Sequence, residues 1–509
     1  MSAEIAAKPA AAAPAKKEKN PVVYWVGVVA GLFLMFVFGR VCPAWGAVTP
    51  MGVNMIGIFI GLLLLITVTG ELIWPALAAL VATVLCGYMT GGDIIAKFMG
   101  TTTILQVIAI LVICAALRST GAGAVIAKKI VTAKFVQGRP LVFTMFFLIA
   151  FLFADIFLDT FGGILFSFTV FESVRETLGY EKNDRYVQAM TLGLYLCGML
   201  GAALIPFTPM TLAITGAFSA SAASYGFAFN PAVYIVAAII DGTVFMVCYS
   251  LLMKYVFRCD MSRLKTLNVH EIEALKETSD KFNLTQVIYL VAFLIGIAYS
   301  FVLHFLPQDS SAYAFLSPIT QAIWFVLVIV VLSIVKINGK PLMDCKKFFK
   351  EGANWGFICT IGMFMIIGGA LSAPDLGVRT WLTDVLTPLF SNMSFPVFMF
   401  VIILICAIVT NFFSNMATGI IVSSITMPFI AVFASQGINP SVIATAIAYT
   451  SMCAYMTMAA AGPAPLLLGR EGIETKFIWT RGLITLGAYV IVAVVFFSIL
   501  GLVMKRAML

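Results

Sequence analysis

Charge is what this 509-residue sequence has least of: charged residues make up 11% and hydrophobic residues 61%, against about 25% and 45–50% in soluble domains. A water-soluble fold could not hide that much apolar surface. The same scarcity excludes a chain that is disordered overall, and one built mainly to hold nucleic acid, despite a formal net charge of +8. Histidine is nearly missing: His270 and His304 stand far apart near segment ends, which suits interfacial positions better than a ligand or a proton carrier. The ten cysteines include no Cys-x-x-Cys pair and lie mostly in apolar runs, so neither a zinc site nor a disulfide framework is expected. What remains is an all-α polytopic membrane protein.

The apolar runs give its layout. Residues 1–21 form an Ala/Lys/Pro-rich tail read as disordered and cytoplasmic. The run 22–40 lacks a small-residue cleavage site, so 22–49 reads as a first transmembrane helix rather than a cleaved signal. Two later stretches, 140–176 and 396–435, are apolar but interrupted by small and polar residues. If these are re-entrant hairpins, about eleven helices cross roughly 30 Å of hydrocarbon. That choice puts 26 of the 31 Lys and Arg residues on one side and leaves Arg40, Lys97, Arg379, Lys505 and Arg506 on the other. The positive-inside rule then sets the N-terminus in the cytoplasm and the C-terminus outside, in an inner (plasma) membrane.

Sliding the chain by 256 residues aligns 121–216 with 377–472 without gaps. Gly163 meets Gly419, Pro140 meets Pro396, Pro209 meets Pro465, and Asp155 and Asp159 meet Asn411 and Asn415. The charge count gives the two copies opposite orientations, and inverted repeats are a mark of secondary transporters. Repeat 1 covers 50–257, with hairpin 140–176 and broken helix 186–226. A connector at 258–284 is read as a cytoplasmic amphipathic helix. Repeat 2 covers 285–509, with hairpin 396–435 and broken helix 440–468.

Each copy carries two backbone breaks. The hairpin tips read Ala154 to Gly163 and Thr410 to Gly419, and helices resuming at Gly163 and Gly419 would aim unsatisfied N–H groups at an anion. The second breaks, Ile205-Pro206-Phe207-Thr208-Pro209 and Ala460-Ala461-Gly462-Pro463-Ala464-Pro465, free carbonyl oxygens that suit Na⁺. Non-helical backbone at this depth is tolerated only where it is buried in protein or lines a cavity.

Ser414-Asn415 on a tip, Thr410 a turn earlier and a proline break about forty-five residues on resemble the divalent anion:sodium symporter family of the ion-transporter superfamily. The resemblance covers roughly 50–505 and implies cation-coupled carriage of dicarboxylates, citrate or sulfate by a homodimer. The family's tips read Ser-Asn-Thr; here Met416 follows Ser414-Asn415, and the first tip reads Leu158-Asp159-Thr160.

The expected substrate contacts are Thr160, Gly162, Gly163, Asn415, Thr418, Gly419, Thr208 and Pro463. The expected cation contacts are Asp155, Asp159, Thr410, Ser414, Asn415, Ala461, Gly462 and Pro206, with Asp159, Asp155 and Asp241 as proton-coupling candidates. Carboxylates inside a membrane are rare and usually functional. The function expected is symport of a small organic anion, a di- or other carboxylate, by alternating access, with Na⁺ or H⁺ as the only accessory species and no enzymatic cofactor. A cation:proton antiporter or an inorganic oxyanion carrier is the alternative. An intramembrane Mg-diphosphate prenyltransferase, suggested by Asp155-x-x-x-Asp159, is a second.

Overall fold

The computed structural model describes residues 21–132, 138–158, 160–267, 278–279, 281–307, 309–337, 339–390, 393–458 and 460–504. Asp159, the tail up to residue 20, and residues 268–277 and 280 of the segment expected to form the amphipathic connector lie outside them; the described part of that segment holds only a short 3-10 turn at Ser262–Thr266. Among the described residues the fold is helical, with one pair of two-residue strands at Lys336–Ile337 and Lys340–Pro341.

Many helices start where proline and a polar cap coincide. Pro50, Pro140, Pro231 and Pro440 each open a helix, where the missing N–H costs nothing. Thr49, Asn230 and Asn439 cap three of these by accepting from Gly52, Ala232 and Ser441 N–H groups.

Among the described residues six helices are long and apolar enough to cross a bilayer unaided: Pro50–Thr69, Thr102–Ser119, Pro231–Tyr255, Phe395–Phe412, Asn415–Ser435 and Thr475–Val503. Cys345–Gly352 and Trp355–Leu371, bent by 63° at their junction, together make a seventh. Other apolar runs, such as Ile73–Leu85 and Pro440–Thr450, fold as shorter helices.

The first helix packs on Pro50–Thr69 through glycine. Gly31 on Pro21–Phe36 meets Gly61, while Gly27 lies under Val68 and Gly57 under the Leu34 carbonyl. A Cβ on Gly31 would sit 2.6 Å from Leu65, and one on Gly61 would sit 2.7 Å from the Gly31 carbonyl oxygen. Lipid tails supply no hydrophobic drive between helices, so close backbone approach through small residues takes its place.

The elements at the two ends of the 256-residue offset come in the same order with the same neighbours. Arg185–Gly201 lies against both hairpin arms, Pro140–Ala154 and Thr160–Leu178, and against Pro231–Tyr255. Pro440–Thr450 lies in the same way against Phe395–Phe412, Asn415–Ser435 and Leu483–Val503. The halves meet where Pro231–Tyr255 packs on Pro440–Thr450 and Leu483–Val503, and where Pro209–Ala223 packs on Asn415–Ser435.

Candidate substrate and cation site

The second break is longer than its prolines suggest. Helix Pro440–Thr450 ends ten residues before Ala460, and the described residues stay non-helical until Ala464. Backbone groups freed in this way need partners, and the second hairpin tip supplies them. The Asn411 amide donates to the Ala407 and Cys453 carbonyls at 2.8 Å each. Its oxygen accepts from the Tyr455 and Met456 N–H groups at 2.9 Å each. Thr410 Oγ1 donates to the Ser451 carbonyl at 2.6 Å, Thr457 Oγ1 to the Asn411 carbonyl at 2.6 Å, and the Asn415 N–H to the Ala460 carbonyl at 3.1 Å. Tip and break are thus stitched into one body.

The first half differs at the matching positions. Helix Arg185–Gly201 runs on through the residues that align with the unwound 451–457, so its amides are already used. Asp155, which aligns with Asn411, is fully buried between two glycines. A Cβ on Gly163 would collide with its Oδ1, and one on Gly201 would lie 2.8 Å from its Cβ. This corrects the expected helix starts: the tip helices resume at Thr160 and Asn415, not at Gly163 and Gly419. Both glycines lie in or just after the first turn and serve close packing, Gly419 leaving room for Ile214.

The first tip and both breaks reach one cavity of about 290 Å³. The first tip gives Thr160 and Phe161, the first break Thr208 and Met210, and the second break Met452. The second tip closes on the same place, with Asn415 Nδ2 3.3 Å from Met210 Sδ and 3.5 Å from Met452 Sδ. A Cβ on Gly462 would stand 3.3 Å from the Phe161 ring. Thioethers are weak acceptors, so the Asn415 amide, behind two methionines of the cavity wall, keeps donor capacity to spare. Among the described residues no Lys, Arg, Asp or Glu side chain lines the cavity.

Helix starts converge there. Thr160 opens one helix, Thr208 precedes Pro209–Ala223, and Asn354 caps Trp355–Ser372 by accepting from the Phe357 N–H at 3.2 Å. Asn354 and Phe357 both line the cavity, and sequence reasoning missed them because they lie outside the aligned repeat. Their signal is an Asn directly before an apolar helix, a common cap pattern.

Of the expected contacts, Thr160 and Thr208 line this cavity, while Asn415 and Gly462 stand behind it against Met210 and Phe161, which line it. Thr418, whose hydroxyl donates to the Ser414 carbonyl at 3.0 Å, lines a different cavity. Thr410 is engaged with Ser451, while Pro206, Ala461 and Pro463 are buried in the breaks beside the cavity rather than in its wall. Gly162, Gly163 and Gly419 follow the helix starts without lining it.

Asp241 lies elsewhere. It is fully buried midway along Pro231–Tyr255, facing the Tyr449 and Tyr489 hydroxyls and the Cys453 thiol from the other half. Neither carboxyl oxygen makes a hydrogen bond of standard geometry among the described residues. Tyr489 Oη lies 3.3 Å from Thr450 Oγ1, next in sequence to the Ser451 carbonyl that Thr410 binds. Among the described residues no three His, Cys, Asp or Glu side chains group as metal ligands.

Comparison with known proteins places this geometry in context. The sodium:sulfate symporter transmembrane region matches residues 23–504. An uncharacterized transporter of Methanocaldococcus jannaschii is 26% identical over 171 residues, a match spanning 33% of this chain and 37% of that protein. The fold is similar to that of MtrF from Neisseria gonorrhoeae, assigned to a class of antimetabolite efflux pumps, with a TM-score of 0.60 at 13% identity over 94% of this chain and 98% of that one. It is also similar to the YdaH transporter of Alcanivorax borkumensis, with a TM-score of 0.52 at 12% identity over 88% and 97%. The molecule is therefore a multi-pass membrane transporter and not an enzyme, which removes the prenyltransferase reading. A match over nearly the whole length, joined to paired breaks around one cavity, means that the chain belongs to the sodium:sulfate symporter family.

Proposed function

We propose that this secondary transporter carries a small organic anion, a di- or other carboxylate, driven by Na⁺ or H⁺ through alternating access. The observation that carries this reading is the convergence of three helix starts on one 290 Å³ cavity with no basic side chain in its wall among the described residues. Positive dipole ends with neutral donors at Thr160, Thr208, Asn354 and Asn415 hold anionic oxygens. They do so without a fixed ion pair, and a carrier must also let go.

The cation has oxygen ligands close by in Ser414, Thr410 and the carbonyls of the 460–463 break, a hard-oxygen set that suits Na⁺. Asp155, Asp159 and Asp241 are the groups through which a proton would couple. The two halves act as inverted repeats, each with its re-entrant hairpin, within eleven crossings. The arms of the second hairpin are 18 and 21 residues long, so re-entrance rests on the segregation of Lys and Arg rather than on length. The same segregation supports an inner (plasma) membrane protein with its N-terminus in the cytoplasm and C-terminus outside. Family resemblance supports a homodimer.

A thermal-shift panel of mono-, di- and tricarboxylates and sulfate, each with Na⁺ or at low pH, tests the reading. Stabilisation by a carboxylate that requires the cation, followed by uptake of that carboxylate into proteoliposomes, is expected. Stabilisation by sulfate alone would replace it with an inorganic oxyanion carrier. A cation response with no anion response would replace it with an antiporter.

A further inference from the structure

A second cavity, of about 710 Å³, lies outside the site just described. One wall is Pro50–Thr69, through Ile56, Ile60 and Leu63; the facing wall is the second hairpin, through Val409, Ile421 and Ile425. It opens sideways, since Ile60, Phe413 and Ile425 on its rim are 44%, 58% and 39% exposed. Its inner end reaches Ala417 and Thr418 in the first turn after the second tip.

The lining is mostly apolar, with hydroxyls at Thr67, Thr418 and Ser424 and, among the described residues, one charge at one end. There Arg379 stacks its guanidinium over the Tyr225 ring at 3.6 Å and donates once, to the Ser224 carbonyl at 3.3 Å. No carboxylate pairs with it among the described residues. Trp45 and Trp381, edge to face at 6.0 Å, flank the same end. Tryptophan with a cation is the side-chain signature of the bilayer interface, where the headgroups lie.

A small water-borne anion gains nothing from the apolar depth behind Arg379. An acyl chain does, and the sideways opening faces the acyl layer. A guanidinium held flat on an aromatic ring keeps its remaining N–H groups for phosphate oxygens, which it binds in a fork. We propose that this cavity is a binding site for one anionic phospholipid, its phosphate on Arg379 and an acyl chain between Pro50–Thr69 and the second hairpin. Because the chain ends against Ala417 and Thr418, its presence bears directly on the tip. The site stands apart from the substrate cavity and does not depend on which solute is carried.

Native mass spectrometry of the purified full chain, titrated with dioleoyl phosphatidylglycerol or dioleoyl phosphatidylcholine, tests this. One phosphatidylglycerol per chain is expected, held about fivefold more tightly than phosphatidylcholine, the margin of one cation at an anionic headgroup. Arg379→Gln should erase that preference, and Ile425→Trp, which fills the cavity, should lower retention of both lipids. Equal retention by the unaltered chain, or a preference that survives Arg379→Gln, overturns the proposal. So does an Ile425→Trp chain that loses its dimer but keeps its lipid, since a second copy would then cover this face. If Arg379→Gln does not fold, Tyr225→Leu removes only the stacking ring; a weakened preference supports the proposal and an unchanged one overturns it.

Discussion

Asn411 and Cys453 meet across two segments of the second half: the Asn411 side-chain amide donates to the Cys453 carbonyl at 2.8 Å. Both N–H bonds and both oxygen bonds of that amide are used, which makes a single side chain the organiser of the unwound stretch. Asn411→Ala leaves several buried backbone groups without partners, each costing about 1–3 kcal/mol. A loss of at least about 2 kcal/mol in reversible detergent unfolding is expected. Asn411→Asp keeps the acceptor for Tyr455 and Met456 but cannot donate to Ala407 and Cys453 when ionised, and should fall between the two.

Asn354 separates capping from substrate contact. Asn354→Ser keeps a hydroxyl able to cap the Phe357 N–H but withdraws the amide from the cavity. The melting temperature should hold while the half-saturating substrate concentration rises about tenfold, the value of one lost charge-assisted hydrogen bond. Unchanged substrate dependence would leave Asn354 as a cap alone.

Asp241 is open to a transport test because it lies off the cavity. Asp241→Asn keeps the shape and removes the titrating group. Solute counterflow should survive, and the acceleration of uptake by an inward proton gradient should vanish. Acceleration that persists in this variant assigns the proton elsewhere.

The glycine seam between Pro21–Phe36 and Pro50–Thr69 should not admit larger side chains. Gly61→Leu drives a side chain toward the Gly31 carbonyl, and overpacking of this kind costs about 1–3 kcal/mol. Gly87→Ala, at a glycine with nothing within 4 Å of the added Cβ but a φ of +81°, separates backbone strain from crowding when both are followed by thermal unfolding.

Glu172 binds Arg470 at 3.1 Å and Arg175 at 2.9 Å, joining the first hairpin to the end of the second broken helix. The pairs are partly exposed, so Glu172→Gln should change stability by no more than about 1 kcal/mol. Its expected effect is on rate: exchange across proteoliposomes should change while equilibrium binding does not.

Much of this was legible in the sequence because Gly and Pro punctuate it. The tips near Asp155 and Asn411, the break at Pro206–Pro209 and the alignment between halves all follow from such residues. The early unwinding after Thr450 was not, because 451–461 contains neither Gly nor Pro. It is held open by Asn411, forty residues earlier, and no local rule reads a partner at that distance. Gly163 and Gly419 read as helix starts by local rules for a related reason, whereas tertiary packing uses them as room for Asp155 and Ile214. Asn354 was missed because it belongs to neither aligned hairpin.

The stitching around Asn411 also decides where this machine can slip. A tip and an unwound stretch clasped by so many hydrogen bonds travel together or not at all, so any sliding is left to surfaces with weaker grip. Such a surface exists where the Asn415 amide rests on the Met210 sulfur of the first half and Gly462 lies beside the Phe161 ring. There the halves touch through soft, nearly directionless contacts, a bearing rather than a weld.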